Sequence, residues 1–351
     1  MIAQTLAGAW RCPPSALDIT VEQLARVTPL LLKSGAAALT WRRLIESQSN
    51  EHFLSDELLQ AYRLHAVQTA QGEANLKEVF RLHRSAGIEP VLVKGWAIAR
   101  HYPETGLRPY GDIDLFVAAN DYEKADDVQR SVGYRYPVDH HAGSGKLNYL
   151  SFDELFKYSL LVPLDGVPIR VPCPEHHLRI LSFHLLAHGV WRPLWLCDIA
   201  VALESRPDNF DWDLCLGKNR RRADWIACAV GLAHQLFGAN IAGAPVEWRA
   251  RHLPRWLVPS VLKQWSVPFT NHVSHQDPMS LVIRRPKAIL RALRLRWPNP
   301  VEATISVSGS LNDFPRLPFQ IGSCLLRSAR FLMQTFATAI RQIERTPLLR
   351  R

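Results

Sequence analysis

One stretch of the chain limits the possible folds more than any other. It reads VLVKGWAIARHYPETGLRPYGDIDLFV and runs from Val91 to Val117. Val91–Val93 and Asp112–Val117 are apolar runs of strand length, and Gly95–His101 between them suits a short helix that stops near Pro103. Two short strands joined through a helix predict a compact unit that mixes strands and helices.

Helical and strand patterns continue on both sides of this stretch. Leu54–Ser85 carries apolar residues at near-helical spacing, which predicts one long helix or two in series. Asn120 suits the N-cap of a further helix that Gly133 ends, and Tyr134–Val138 predicts a third strand. The alternation predicts one small α/β unit.

The rest of the chain has mostly helical patterns, which begin at Pro174. The predicted fold class is therefore α+β, a small mixed sheet with helices followed by a mostly helical C-terminal region. Four parts are predicted. They are an N-terminal helical segment (1–86), an α/β core (87–172), a helical domain (173–280) and a basic helical extension (281–351).

The positive charge of the chain is unevenly distributed. Residues 281–351 hold 13 lysines and arginines against 3 acidic residues, so their net charge of +10 equals that of the whole chain. This pattern argues against a uniformly basic protein that coats nucleic acid. Arg284–Trp297 alternates arginines with leucines and isoleucine, which favours a solvated helix packed through its apolar face. Contact with an anionic membrane surface or with RNA is the alternative.

Cysteine usage and hydropathy bear on the cellular compartment. The six cysteines are scattered without a Cys-x-x-Cys pair, and the first residues lack a basic region followed by a long apolar run. The most apolar windows, such as Trp225–Gly238, are too short and interrupted to span a bilayer. We therefore expect reduced thiols, a cytoplasmic location and no stable membrane insertion.

Two carboxylates lie one residue apart in the second apolar run. Alternate residues of a strand face the same side, so Asp112 and Asp114 should share one face, roughly 7 Å apart at the backbone. Such a pair can converge on one hard cation or bridge two, and magnesium in such sites keeps phosphate oxygens in its shell. The competing interpretation is a pair of ordinary solvated residues.

Three further residues of the same stretch suit phosphate binding. Gly95 follows a strand and opens a helix, so phosphates can approach its backbone. Lys94 adds a mobile positive charge, and Arg108 can make bidentate phosphate contacts. Each has an ordinary explanation when taken alone, a turn for Gly95 and a surface charge for Arg108. The order of strand, Lys-Gly, helix, arginine and Asp-x-Asp strand favours the phosphate interpretation.

This arrangement resembles a bacterial nucleotidyltransferase family with a Leu-Lys-Gly motif, within the DNA polymerase β-like nucleotidyltransferase superfamily. The resemblance covers roughly residues 76–238. It implies a nucleotidyltransferase-type mixed sheet in which Asp112 and Asp114 bind Mg²⁺ or Mn²⁺. It also implies a nucleoside triphosphate donor, with ATP expected, whose nucleoside monophosphate group passes to an acceptor. The resemblance does not define that acceptor, which can be a small molecule, a peptide or RNA.

The sequence departs from the superfamily at one point and leaves other functions open. The superfamily usually has a third carboxylate on a following strand. Within Asp139–Phe156 the possible substitutes are Asp139 and Asp153, and neither lies clearly inside a predicted strand. Loss of this ligand would leave a catalytically degenerate protein that binds or regulates. A third hypothesis is a peripheral membrane or RNA-binding protein that acts through residues 281–351.

Two other sets of residues are weaker candidates for a site. His184 and His188 lie four residues apart on a predicted helix and share a face, as zinc ligands do. Leu185 stands where the zinc-protease pattern needs a glutamate, so structural histidines are favoured. Asp198 is an acid in a predicted apolar helix, so we expect it to pair with an arginine or a tryptophan N–H. The alternative is that it lines the substrate cleft.

Overall fold

The computed structural model describes residues 1–46, 55–142, 150–266 and 296–345 of the chain. The fold is α+β, as predicted. The chain forms two compact units, one of residues 1–185 with 192–253 and the other of residues 186–191 with 254–351. The predicted boundaries at residues 86, 172 and 280 stay predictions.

Helices make up most of the first unit. Within the described residues they are α1 (Ile2–Leu6), α2 (Val21–Ser34), α3 (Ala37–Glu46), α4 (Asp56–Ser85), α5 (Trp96–Ala99), α6 (Tyr122–Ser131), α7 (Phe152–Lys157), α8 (Pro174–Ala187), α9 (Pro193–Glu204), α10 (Trp212–Leu216), α11 (Arg220–Phe237) and α12 (Glu247–Arg251). The long α4 is a single helix, one of the two predicted forms. A 3₁₀ turn over Ala119–Asp121 precedes α6, so Asp121 and not Asn120 is the N-cap residue of that helix.

A three-stranded sheet forms the centre of the α/β region, with β2 (Ile113–Val117) in the middle. The strand β1 (Val91–Leu92) pairs with β2 antiparallel, and β3 (Val138–Ala142) pairs with it parallel. The strand predicted over Tyr134–Val138 was misplaced, because β3 begins four residues later, at Val138. Tyr134 has a positive φ of 53° and belongs to the turn that leaves α6, so extended backbone starts only at Val138.

One face of this sheet packs against the apolar side of α4. Leu76, Val79 and Phe80 of α4 are buried together with Leu92 of β1 and Leu115 of β2. The helical spacing of the three α4 residues places them on one side of the helix. Full burial of a side chain such as Phe80 contributes roughly 1.5–3 kcal/mol. This packing fixes the sheet to a long rigid element.

A β-hairpin that the sequence reasoning missed completes the core of the first unit. Its strands are β4 (Leu160–Leu164) and β5 (Val167–Val171), joined by Asp165 and Gly166. Both turn residues have positive φ angles, 46° and 80°, as a tight two-residue hairpin turn requires. Alternate residues of β5 are buried with the residues that pack between α4 and the sheet.

Gly106 packs closely against the backbone of α4, and its replacement tests that contact. Its φ is +93°, and an added Cβ would lie 2.7 Å from the Cα of Ala66. We expect Gly106→Ala to lower the free energy of unfolding by about 2–5 kcal/mol, because it adds backbone strain and overpacking. Gly133→Ala should cost only about 1–2 kcal/mol, since that backbone is left-handed but nothing lies within 4 Å of the added Cβ. Equal losses in urea unfolding would contradict this account.

The second unit is helical within its described residues. Its helices are α13 (Leu257–Ser266), α14 (Pro300–Ser306) and α15 (Leu317–Arg345). The side chain of Asn299 caps α14 by accepting from the backbone N–H of Val301 at 2.7 Å. Most of the predicted basic helix over 284–297 lies outside the described residues. Among the described residues, no helix is both long enough and apolar enough to cross a membrane.

Candidate functional site

Three potential metal ligands meet where β2 and β3 pair. The parallel register places Asp114 beside Asp139 and Phe116 beside His141. Because alternate residues of a strand share a face, Asp139 and His141 lie on the same side of β3. One ligand atom from each of Asp114, Asp139 and His141 lies within 4.8 Å of the other two. We call this group the Asp114 cluster.

The centre of the cluster is the buried carboxylate of Asp114. Lys94 Nζ lies 2.8 Å from its Oδ1, and His141 Nε2 lies 2.9 Å from the same oxygen. His141 Nε2 is also 3.6 Å from Oδ2 of Asp139. The side chain of Asp114 is only 5% exposed, whereas that of Asp139 is 55% exposed. The cluster therefore has one sheltered and one accessible carboxylate.

The electrostatic surroundings of Asp114 favour its ionised form. Burial acts to raise the pKa of its carboxyl group, but the hydrogen bond from His141 and the charge of Lys94 outweigh it and lower that pKa to about 2. Asp114 is thus an anion at neutral pH. Its Oδ1 contacts the ammonium group of Lys94. An ionised carboxylate of this kind can ligate a metal ion.

Lys94 and Gly95 lie between β1 and α5, next to the cluster. Gly95 is the N-cap residue of α5 and has a φ of 63°, a backbone conformation that favours glycine. This turn directs the chain from β1 into α5 and leaves Lys94 with its ammonium group on Asp114. The predicted helix over Gly95–His101 is shorter, four residues long. The role of both residues in phosphate binding stays a prediction.

Asp112 lies just before β2 and outside the Asp114 cluster. The expected strand over Asp112–Val117 begins at Ile113, whose N–H donates to the carbonyl of Pro137 at 2.8 Å in the first contact with the β3 side. Asp112 is exposed, in contrast to the buried Asp114. Its role as a metal ligand stays a prediction, and the two acids of the Asp-x-Asp motif differ in environment.

Arg108 forms a buried ion pair with Asp198 of α9. Its Nη2 lies 2.7 Å from Asp198 Oδ2, and the side chains are 6% and 1% exposed. Tyr102 donates its hydroxyl to Asp198 Oδ1 at 2.8 Å. The prediction that Asp198 pairs with an arginine is confirmed. The predicted phosphate contact of Arg108 stays a prediction, and it would require the guanidinium to leave this pair.

The two histidines considered for zinc do not join such a group in the described part of the chain. There, the Asp114 cluster is the one set of three or more histidine, cysteine or acidic side chains with converging ligand atoms. His184 packs its ring against Trp195 with 4.4 Å between ring centroids. His184 and His188 therefore do not form a zinc site among these residues.

Sequence reasoning missed His141 and misjudged Asp139. Asp139 was one of two possible substitutes that did not lie clearly inside a predicted strand, and the structure makes it the second residue of β3. Asp153, the other substitute, lies in the first turn of α7 and outside the cluster. The signal that was available is the alternation of Asp139 and His141, which have the spacing of one strand face.

Comparison with known proteins agrees with the resemblance of the motifs. Residues 20–149 and 138–238 match the model of a family described as an uncharacterised nucleotidyltransferase. No curated protein and no solved structure matches the chain. The matched residues include Lys94, Gly95, both acids of the Asp-x-Asp motif and all of β3. The match also covers more than half of the chain, and the chain therefore belongs to this family of uncharacterised nucleotidyltransferases.

Proposed function

We propose that the chain is a metal-dependent nucleotidyltransferase that transfers a nucleoside monophosphate group from a nucleoside triphosphate, with ATP as the expected donor. The observation that carries the proposal is the Asp114 cluster of two carboxylates and an imidazole, together with the ammonium group of Lys94 that contacts it. In such a transfer an acceptor hydroxyl forms a new bond to the α-phosphorus. The bond from that phosphorus to the bridging oxygen breaks, and pyrophosphate leaves.

The donor atoms of the cluster suit a divalent cation. Asp114 and Asp139 supply hard oxygen ligands, which magnesium and manganese prefer, and the nitrogen of His141 fits manganese better than magnesium. A bound divalent cation would polarise the phosphoryl oxygens and offset charge on the leaving group. The Asp112 carboxylate precedes β2 and is the further acid that the family resemblance assigns to the metal.

Lys94 would have two successive partners in this proposal. Its ammonium group is held on the carboxylate of Asp114, which would also hold a metal ion. Competition for that carboxylate would release the ammonium group toward the phosphates, where positive charge is needed. Gly95, with no side chain at the adjacent turn, would let those phosphates approach the backbone.

Asp139 supports an active enzyme over a catalytically degenerate relative. A degenerate protein was the alternative if no carboxylate reached the site from a neighbouring strand. Asp139 lies on β3 directly beside Asp114, and its side chain is half exposed. An accessible carboxylate at this position could accept the proton of an acceptor hydroxyl.

The proposal is tested by titrating Mg²⁺ or Mn²⁺ and ATP into the wild-type chain and into the double variant Asp112→Asn, Asp114→Asn. We expect metal-dependent ATP binding to be abolished in the double variant, because the charges that hold the cation are removed. Circular dichroism should report the same fold for both. Unchanged titrations in the double variant would refute the proposal. Incubation with labelled triphosphates and cell lysate would then identify the acceptor through a labelled product.

The helix α15 favours a second function, contact with an anionic membrane surface. Leu317, Ile321, Leu325 and Leu332 are 45–66% exposed, and their spacing of one or two helical turns places them on one side of the helix. The net charge of +10 over residues 281–351 complements anionic lipids. We propose that this apolar side lies in the interface of an anionic membrane.

Vesicle sedimentation tests this second proposal. We expect the chain to bind phosphatidylserine vesicles, to bind phosphatidylcholine vesicles weakly, and to lose binding as salt is raised. Leu325→Asp with Leu332→Asp should abolish binding, whereas Leu161→Asp, at an exposed leucine of β4, should not. Binding to RNA that is insensitive to the leucine changes would refute the membrane proposal and favour an RNA-binding role.

A further inference from the structure

A cleft of about 650 Å³ lies in the first unit, beside the start of β2. Its walls come from the end of α2, from one side of α4, from the segment that leads into β2, and from Arg192 just before α9. Gly111 and Ile113, the two neighbours of Asp112, both line it. The cleft therefore opens beside the Asp-x-Asp motif.

The charges of the cleft point to an anionic ligand. Its lining includes the cationic side chains of Lys33 and Arg192, and none of the residues that the structure describes there is acidic. Amide side chains of Gln68, Gln71 and Asn75 follow one another along the α4 wall. Two cations with neighbouring amides provide a counter-charge and hydrogen-bond partners for a small polar molecule with an oxyanion.

Arg192 is fixed in place but keeps hydrogen-bonding capacity. Its Nε donates to the backbone carbonyl of Ser34 at 2.6 Å, and its guanidinium lies 5.5 Å from the ring centroid of Trp195. Within the described residues its two terminal amino groups have no hydrogen-bond acceptor. Burial and the nearby charge of Arg108 lower the pKa of Arg192 to about 10, which Asp198 and Asp112 partly oppose. A bound anion would relieve this cost of burying the guanidinium.

Two buried polar groups of the lining residues have no hydrogen-bond partner. They are the hydroxyl oxygen of Tyr110 and Nδ1 of His65, and His65 is only 8% exposed. Buried polar atoms in folded proteins are nearly always paired. Both atoms are shielded from solvent, so a molecule bound in the cleft would reach them only after these side chains shift.

Gly72 of α4 shapes the same wall. A Cβ at this position would lie 2.8 Å from Cε2 of Tyr110, so glycine lets the tyrosine ring come this close to the helix. Glycine inside a helix costs about 1 kcal/mol relative to alanine. Here the glycine makes room for the Tyr110 ring, which lines the cleft.

We infer that this cleft binds a small molecule bearing a carboxylate or phosphate group, with Arg192 as its counter-charge. The molecule is the acceptor of the nucleotidyl group, and this role rests on the proposed function, whereas anion binding itself does not. Gly111 and Ile113 place the cleft beside Asp112, the acid that the family resemblance assigns to the metal, so the bound acceptor would lie near that carboxylate. Its hydroxyl would then be the group that attacks the α-phosphorus.

The test measures thermal shifts with two probes, inorganic phosphate and succinate, at constant ionic strength. We expect a saturable rise in melting temperature of the wild-type chain with at least one probe, and the better probe distinguishes phosphate from carboxylate recognition. Arg192→Gln should raise the half-saturating concentration at least about tenfold, which corresponds to the loss of one charge-assisted contact. Gln68→Trp, at an exposed position of α4, should block the cleft without disturbing the core.

A matched control and one further variant make the outcome decisive. Arg63→Gln removes a charge from an exposed position of α4 outside the cleft and should leave half-saturation unchanged. Asp114→Asn should retain anion binding while losing metal-dependent ATP binding, so failure of the proposed function is distinguishable from failure of this inference. No saturable response to either probe, or the same half-saturation in wild type, Arg192→Gln and Gln68→Trp, would overturn it.

Discussion

Asp139→Asn should weaken metal-dependent triphosphate binding by at least about a hundredfold while leaving the fold unchanged. The expected loss is large because Asp139 supplies one of the two carboxylates of the Asp114 cluster, and even residues that only support metal ligands contribute 10–100-fold. Its side chain is 55% exposed, so the free energy of unfolding should change by no more than about 0.5 kcal/mol. Calorimetric titration of Mn²⁺ with ATP measures the first effect, and urea unfolding the second.

Asp153→Asn is the matched control for this prediction. Asp153 is an exposed acid of the same segment, and it lies in the first turn of α7 outside the cluster. Its replacement should leave the titration unchanged. If Asp139→Asn also left it unchanged, Asp139 would not be a ligand, and the degenerate-protein hypothesis would regain its main support.

Asp198→Ala should lower the free energy of unfolding by about 3–5 kcal/mol. The replacement leaves the guanidinium of Arg108 buried without its carboxylate, and breaking a buried pair from one side costs about this much. It also leaves the hydroxyl of Tyr102 without its acceptor. Urea unfolding monitored by circular dichroism measures the loss.

Two comparison variants separate the loss of a buried pair from the loss of any ion pair. Asp224→Ala removes a carboxylate from Arg249 in a pair whose side chains are 24–30% exposed, and should cost no more than about 1 kcal/mol. The double variant Arg108→Met, Asp198→Leu should recover most of the stability, because no buried charge is left unpaired. A loss at Asp198 no larger than that at Asp224 would show that the buried pair is not structural.

Elements with strong apolar periodicity were predictable from the sequence. Leu76, Val79 and Phe80 identified α4, and the apolar runs identified β1 and all of β2, because burial against one core imposes these patterns. The strand β3 was misplaced because it pairs on one side only and consists largely of polar residues. Its position depends on long-range pairing with β2, and the alternation of Asp139 and His141 is the one local sign of it.

The hairpin was missed for a different reason. Asp165-Gly166 is a strong local hairpin signal, but Pro163 and Pro168 in its strands read as interruptions. These prolines are directly opposite each other in the register, where the two-stranded ladder tolerates them.

The site was predictable in part, from Lys94, Gly95 and the acid pair. His141 and Asp139 joined it only through the parallel register of β3, and the buried partner of Arg108 came from α9, ninety residues away. Such contacts between side chains depend on tertiary packing, which cannot be deduced from residue spacing along the chain.

The contact between Lys94 and Asp114 has a consequence for how the protein is handled. Because the ammonium group of Lys94 neutralises the buried carboxylate, the Asp114 cluster carries its own counterion. Removal of the proposed metal ion by a chelator should therefore leave the chain folded, in contrast to small metalloproteins whose folding depends on the ion. The metal-free protein is then a stable reagent into which defined cations can be added one at a time.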